Sequence, residues 1–390
     1  MCGGAAQGSR RGGEAYGRGT EAVDAERREW CGGKGNPADA VKYRGYEDRV
    51  VAPRGGEFHG RMTNRAGRRR SGRSMVRWRE MAERWPGKLR EEAPGYLKYI
   101  LFRSACYLVG VLPAEVSHAV ALGVGEVTYR LSRRKREVVF ENMRRVRPEG
   151  GPEEWRRLAR GCFREYARYW VDFLRCYHLT FPELFYELVV PHGVEWFTRC
   201  LSQGRGAVLA LPHYGSWDMI GGWVGHQFPF WAVAERLKPR PMYEFHTELR
   251  RRMGIRIIPL GENTVEKVIE VLMRNEMVAL LSDRVIAGAG VEVEFFGEKV
   301  LMPVGPALLA VKLGTPVIPC QIILQDGKYH GYVGPPLDIE VTGDTRRDVQ
   351  VNTQKLARVF EDFIRRDPTQ WHMFQPIFGR REPGARETSG

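Results

Sequence analysis

Apolar positions recur at three- and four-residue steps from about residue 76 to 205, a period that predicts helices. They fall at Arg77–Trp85, Tyr96–Leu112, Ala114–Leu131, Arg136–Val146, Pro152–Tyr177 and Val194–Ser202. Within Pro152–Tyr177, the side chains of Trp155, Leu158, Cys162, Tyr166, Tyr169 and Phe173 share one face. Such an aromatic stripe suits a protein core, with a lipid-facing surface as the second reading. After Gly206 the period changes to short apolar runs alternating with helical stretches. Strands are predicted at Ala207–Leu211, Trp231–Ala234, Ile255–Leu260, Met277–Leu281, Val291–Phe296, Val317–Leu324 and Tyr329–Val333. Helices are predicted between and after them at Ser216–Gly225, Met242–Met253, Thr264–Arg274, Gly305–Leu313 and Arg346–Arg366. Strand and helix in alternation predict an α/β fold: a mixed, largely parallel central sheet flanked by helices, preceded by a mainly helical region. In such sheets, sites gather where strands hand over to helices.

The ends of the chain read differently. Residues 1–75 are rich in Gly and Arg, poor in aliphatics and without apolar periodicity, and are expected to be a disordered extension, as is the tail 380–390. The helical region 76–205 and the α/β core 206–379 are expected to form one domain. Net charge is +14, and residues 1–75, with 16 Lys/Arg against 9 Asp/Glu, supply +7 of it. A basic protein is drawn to polyanions, whether nucleic acid, anionic lipid or a phosphorylated donor. The ordered text lacks basic residues interleaved with stacking aromatics on strands, so no specific nucleic-acid partner is expected. Seven scattered cysteines form neither a C-x-x-C nor a Cys/His cluster at metal-ligand spacing, and no metal is expected. Tyr96–Leu112 is the most apolar stretch, but Lys98 and Arg103 interrupt it, so it reads as a helix lying in a membrane interface or as a core helix, not as a span.

The candidate chemistry centres on AVLALPHYGSWDMI, residues 207–220, where a buried-strand pattern runs straight into His213 and a helix begins near Ser216. His213 and Asp218 are separated by four residues, a spacing that lets a turn bring a carboxylate back to an imidazole acting as base. Chance supplies about one such spacing in a chain of this composition, and His178 with Glu183 is a second instance. Context raises His213 above His178: the strand before it, and Gly215 and Ser216 leaving room beside it.

ALPHYGSWDMIGGW resembles the H-x-x-x-x-D motif of the lysophospholipid acyltransferase superfamily. The chain is most similar to its branch of lipid A biosynthesis and phosphatidylinositol mannoside acyltransferases, through AERLKP (Ala234–Pro239), SDR (Ser282–Arg284), GVEVEFFGE (Gly290–Glu298), MPVGPALLA (Met302–Ala310) and QWHMFQPIF (Gln370–Phe378). The likeness runs from about Met81 to Gly379. It implies an O-acyltransferase that uses acyl-CoA as donor substrate and no cofactor, acts on a glycolipid acceptor, and sits peripherally on the cytoplasmic face of the cell membrane. Acyl carrier protein as donor and a lipid A precursor as acceptor form the rival version, and a lipid- or nucleic-acid-binding protein without catalysis the rival class.

The same resemblance implies roles for single residues. His213 takes the part of general base and Asp218 that of its paired carboxylate, with either Asp283 or Glu292 as a further support. Arg236, with Glu235 and Lys238 beside it and Arg250 downstream, is a candidate for oxyanion or donor binding. Phe295, Phe296 and Gly297 with Pro303 and Gly305 are candidates for the acyl or substrate groove. An alcohol is a poor nucleophile at neutral pH and needs a base, whereas a thiolate leaves readily. The absence of a G-x-S-x-G elbow agrees with direct transfer, without an acyl-enzyme.

Overall fold

The structure is a computed structural model, and it describes residues 95–97, 99–177, 183–286 and 290–379. The two terminal extensions, the helix expected at Arg77–Trp85 and the pair His178 and Glu183 lie wholly or in part outside the described residues or side chains.

Among the described residues the stretch before the sheet is helical, and the first strand, Val189–His192, falls inside the region expected to be helical. Residues 95–97 and 99–111 are helical (α1), followed by α2 (Ala114–Leu131), α3 (Arg133–Val146) and α4 (Pro152–Arg175). Helix α4 starts on Pro152 with Glu153 and Glu154 in its first turn and Arg175 in its last, each end matched to the helix dipole. Its aromatic stripe faces inward: Tyr169 and Phe173 are buried, and Tyr166 is half-buried against Phe374. Helix α2 presents its small residues Ser117, Ala121 and Gly125 to α4, where a Cβ on Gly125 would lie 2.7 Å from the backbone of Arg164. The large apolar residues of α2 therefore point outward, among them Val120, Val124 and Leu131.

The α/β core continues with α5 (Glu183–Leu188), β1 (Val189–His192), α6 (Glu195–Leu201), β2 (Ala207–Leu211), α7 (Trp217–Gln227) and β3 (Phe230–Ala234). Next come α8 (Arg240–Arg252), β4 (Arg256–Pro259), α9 (Thr264–Met273) and β5 (Met277–Leu281). The hairpin β6 (Gly290–Phe295) and β7 (Glu298–Pro303) precedes α10 (Gly305–Leu313), β8 (Val317–Gln325), β9 (Lys328–Val333) and α11 (Thr345–Arg366). Seven strands form one sheet in the order β1-β9-β8-β2-β5-β3-β4, parallel throughout except for the antiparallel pair β8 and β9. The fold class is the one the alternation predicts. Strands β1 and β7 and helix α5 escape the sequence reading: VVPH is four residues long and holds a proline, and β7 runs into the Pro/Gly pattern of a helix start.

Strand β2 is buried at all five positions, because it lies at the centre of the sheet with helices on both faces. Its partner β5 runs parallel to it, with Ala207 opposite Met277 and Leu211 opposite Leu281. The same register, continued two residues past the last rung, sets His213 level with Asp283. These strand ends carry the site.

Candidate active site

The sharp turn after β2 places His213. Ser282 N–H donates to the carbonyl of Leu211, which ties the ends of β2 and β5 together. Gly215 then turns the chain away at φ +63°, where a Cβ would fall 2.1 Å from the carbonyl oxygen of Ile322, so only glycine fits between this turn and β8. The imidazole Nδ1 of His213 lies 2.5 Å from Asp283 Oδ1, and the backbone N–H of His213 donates to Asp283 Oδ2 at 2.9 Å. A carboxylate at Nδ1 selects the tautomer protonated there and leaves Nε2 with its lone pair free to accept a proton. Burial alone would raise the pKa of Asp283, but His213 and the hydrogen bonds from His213 and Trp371 hold the carboxyl below its ordinary value. The carboxylate is thus ionised at neutral pH.

Asp218 is elsewhere engaged. It is the second residue of α7, buried, and accepts hydrogen bonds from Arg250 Nε at 2.7 Å, Arg250 Nη2 at 3.1 Å and the Tyr169 hydroxyl at 2.8 Å. Burial opposes the charge on Arg250, but Asp218 outweighs it and raises the guanidinium's pKa. Burial, and then Asp218, raise the Tyr169 phenol well above its ordinary value. Arg250 also lies over the Phe173 ring, 5.4 Å from its centroid. The motif's carboxylate therefore ties α7 to α4 and α8, and the carboxylate on the imidazole is Asp283.

A cavity of about 690 Å³ opens beside His213. Its walls are mainly apolar, with Leu209, Leu211, Ile220, Trp223, Phe230 and Ile257 among them, and its polar groups include Tyr166, Asp218, Arg250 and Arg284. That size and character are those of a pocket for an apolar ligand with a few polar anchors. Arg284, next to Asp283, lines the cavity with its Nε buried and without a hydrogen-bond partner. Sequence reasoning named it only within the SDR block. The five described cysteines are buried, and burial raises their thiols, Cys106 to about 12 and the cavity-lining Cys320 further. A thiolate nucleophile at neutral pH is disfavoured at each.

Several expected site residues lie elsewhere. Glu292 is exposed on the β6–β7 hairpin and pairs with Lys299 at 2.7 Å, because outward positions alternate along that hairpin. It does not support His213. Arg236 and Lys238 are exposed beyond the end of β3 and do not line the cavity, although Glu235 does. Phe295 and Phe296 are buried, but against Trp371, with centroids at 6.0 and 5.9 Å, and Gly297 is exposed in the hairpin turn; none of the three lines the cavity. Pro303 and Gly305 do, at the start of α10.

Two buried histidines near the site make stability pH-dependent. His246 is stacked between Phe102 and Phe173, and burial and then Arg250 push it down to about 4. Burial and then His213 push His372 down to about 3. Each is neutral when folded but takes up a proton near its ordinary value of 6.5 when unfolded. Stability is therefore fully present above 6.5 and lost as pH falls toward 4 and 3, by on the order of 2 kcal/mol per histidine at pH 5. Thermal melts between pH 7 and 5 should show this fall, and His246→Phe should remove about half of it.

The profile of the family described as bacterial lipid A biosynthesis acyltransferase matches residues 87–380. The chain is also similar to two enzymes named phosphatidylinositol mannoside acyltransferase. With the one from Mycobacterium tuberculosis (strain ATCC 25618 / H37Rv) it shares 38% identity over 248 residues, 58% of this chain and 77% of the relative. With the one from Mycolicibacterium smegmatis it shares 37% over 247 residues, 58% of this chain and 79% of the relative.

Proposed function

This chain belongs to the bacterial lipid A biosynthesis acyltransferase family and is an acyltransferase, and from that premise we propose that it moves a fatty acyl group from acyl-CoA to a hydroxyl of a phosphatidylinositol mannoside. The observation that carries the chemistry is the pair His213 and Asp283, locked by the β2–β5 register, with His213 on the wall of an apolar cavity. His213 Nε2 takes the proton of the acceptor hydroxyl as its oxygen attacks the thioester carbonyl, and Asp283 stabilises the imidazolium. The tetrahedral intermediate collapses by breaking the C–S bond, and the leaving thiolate takes the proton from Nε2, which restores neutral His213. Arg284, next to Asp283, is a cavity cation that can serve the oxyanion or donor phosphate, since Arg250 is committed to Asp218 and Lys135 is the other lining cation. The apolar walls suit an acyl chain. The acceptor rests on the names of the two relatives.

The helical region supports membrane docking. Among the described residues no helix is long and apolar enough to cross a membrane. Helix α1 nevertheless leaves Leu97, Ile100, Leu101, Tyr107 and Leu108 exposed, and α2 leaves Val120, Val124, Val127 and Leu131. The basic run Arg133–Arg136 follows, and its Lys135 lines the cavity. An apolar surface edged by cations fits an anionic membrane face, and Lys135 links that edge to the cavity wall, which supports docking with the cavity turned toward lipid acceptors. Replacing Val120 and Val124 together with Glu should abolish co-sedimentation with anionic vesicles while leaving the melting temperature unchanged within a few degrees.

Purified protein incubated with acyl-CoA and mannosylated phosphatidylinositol, lipid A precursor or lysophospholipid, with products identified by mass, tests the reading. Acylated mannoside with free CoA is the expected result. Product on the lipid A precursor alone would reassign the acceptor, free fatty acid alone would make the protein a thioesterase, and no product with any acceptor would overturn acyl transfer.

A further inference from the structure

Asp283 is fixed from a third direction, by a part of the chain far from both strands. After α11 the chain makes a short 3-10 turn at Pro368–Gln370 and returns across the site. Its backbone zips onto the His213 turn: Gly215 N–H donates to the Gln370 carbonyl at 2.9 Å and His372 N–H to the His213 carbonyl at 2.8 Å. The Gln370 amide clamps both backbone groups of Leu324 on β8, accepting at 2.8 Å and donating at 2.9 Å. Between these anchors the indole of Trp371 is 1% exposed, and its Nε1–H donates to Asp283 Oδ2 at 3.0 Å. Phe295 and Phe296, which do not reach the cavity, pack on this ring.

We propose that Trp371 is a positioning residue: its indole N–H, delivered by the C-terminal strap, pins one oxygen of Asp283 so that the other stays against His213 Nδ1. Three donors then converge on one buried carboxylate: the backbone N–H of His213, its Nδ1–H and the indole. An indole is a donor only, so it anchors the charge without competing for the proton that His213 must hold. A buried carboxylate lacking such a partner would be free to rotate or to take up the proton itself. The aromatic pair of the FFG block acquires a purpose in holding the indole plane. The inference rests on the general-base reading of His213.

The test compares wild type with Trp371→Phe, which removes the N–H and keeps most of the ring, and with benzothienylalanine at position 371, in which sulfur replaces the N–H in an isosteric ring. Both should lose about 10- to 100-fold in kcat, as outer-shell partners of a reactive group do, with KM for donor and acceptor within about twofold. The acid limb of the pH–rate profile should move to higher pH, because a carboxylate relieved of one donor pulls harder on the imidazolium. In ¹⁵N-histidine-labelled protein the Nδ1 proton resonance of His213 should move in both variants. Wild-type kcat and profile in both variants would overturn the proposal. A rate loss with the profile and resonance unmoved would overturn it equally, leaving only packing. The resonance is read without substrate, so failure of wild type to acylate any acceptor would sink the functional reading while Trp371 is still judged.

Discussion

Asp283→Asn lowers kcat by roughly a thousandfold to ten-thousandfold, close to the loss from removing His213 itself, as expected when a base loses the carboxylate that sets its tautomer. All three groups around Asp283 are donors, so an amide there must turn its own donor toward at least one of them. The cheapest relief is a His213 that accepts at Nδ1 and carries its proton on Nε2, which is the wrong tautomer for abstracting a proton. His213→Ala tests the base directly, with the imidazole side chain only 12% exposed and its ring edge-on to Trp217. Both variants should melt near wild type and still bind acyl-CoA. A His213→Ala protein with more than a tenth of wild-type turnover would remove general-base catalysis from this site.

The strand VLAL, the abrupt arrival of His213 after it and the glycine that turns the chain are local features, so the sequence shows them. The partner of His213 is not local. It depends on β2 and β5 pairing with a fixed offset across 70 positions, and a slip of two residues would bring up Leu281 or Val285 instead. The spacing to Asp218 is visible, but the direction of its side chain is not. A carboxylate in the first turn of α7 has the choice of turning back to the imidazole or out to neighbouring helices, and Arg250, 32 residues on, settles it. Glu292 misleads for a related reason: alternation along a strand identifies two faces without saying which one meets the site. Phe295 and Phe296 look like groove lining because large apolar residues suit both a pocket and a core. The indole of Trp371 decides between these, and it arrives from the far end of the chain.

Asp218→Asn and Arg250→Met should each cost about 3–5 kcal/mol of stability, because each strands a buried group that its partner had satisfied. For a core of this size that corresponds to a fall in melting temperature of roughly 10 °C. Asp218 holds α7, the helix that leads away from His213, to Tyr169 on α4 and Arg250 on α8, so its loss loosens three elements around the cavity together. Replacing both members, Asp218→Asn with Arg250→Met, removes the uncompensated charge along with its partner and should recover more than half of the summed loss. At a temperature where all variants stay folded, Asp218→Asn should keep kcat within about tenfold of wild type, far above Asp283→Asn. Had Asp218 been the orienting carboxylate, the order would reverse: Asp218→Asn would melt with wild type and lose turnover a thousandfold, and Asp283→Asn would pass for a mild core defect. Melting temperature and kcat measured on wild type, Asp218→Asn and Asp283→Asn separate the two assignments, since an anchor is lost chiefly in the first quantity and an orienting group in the second.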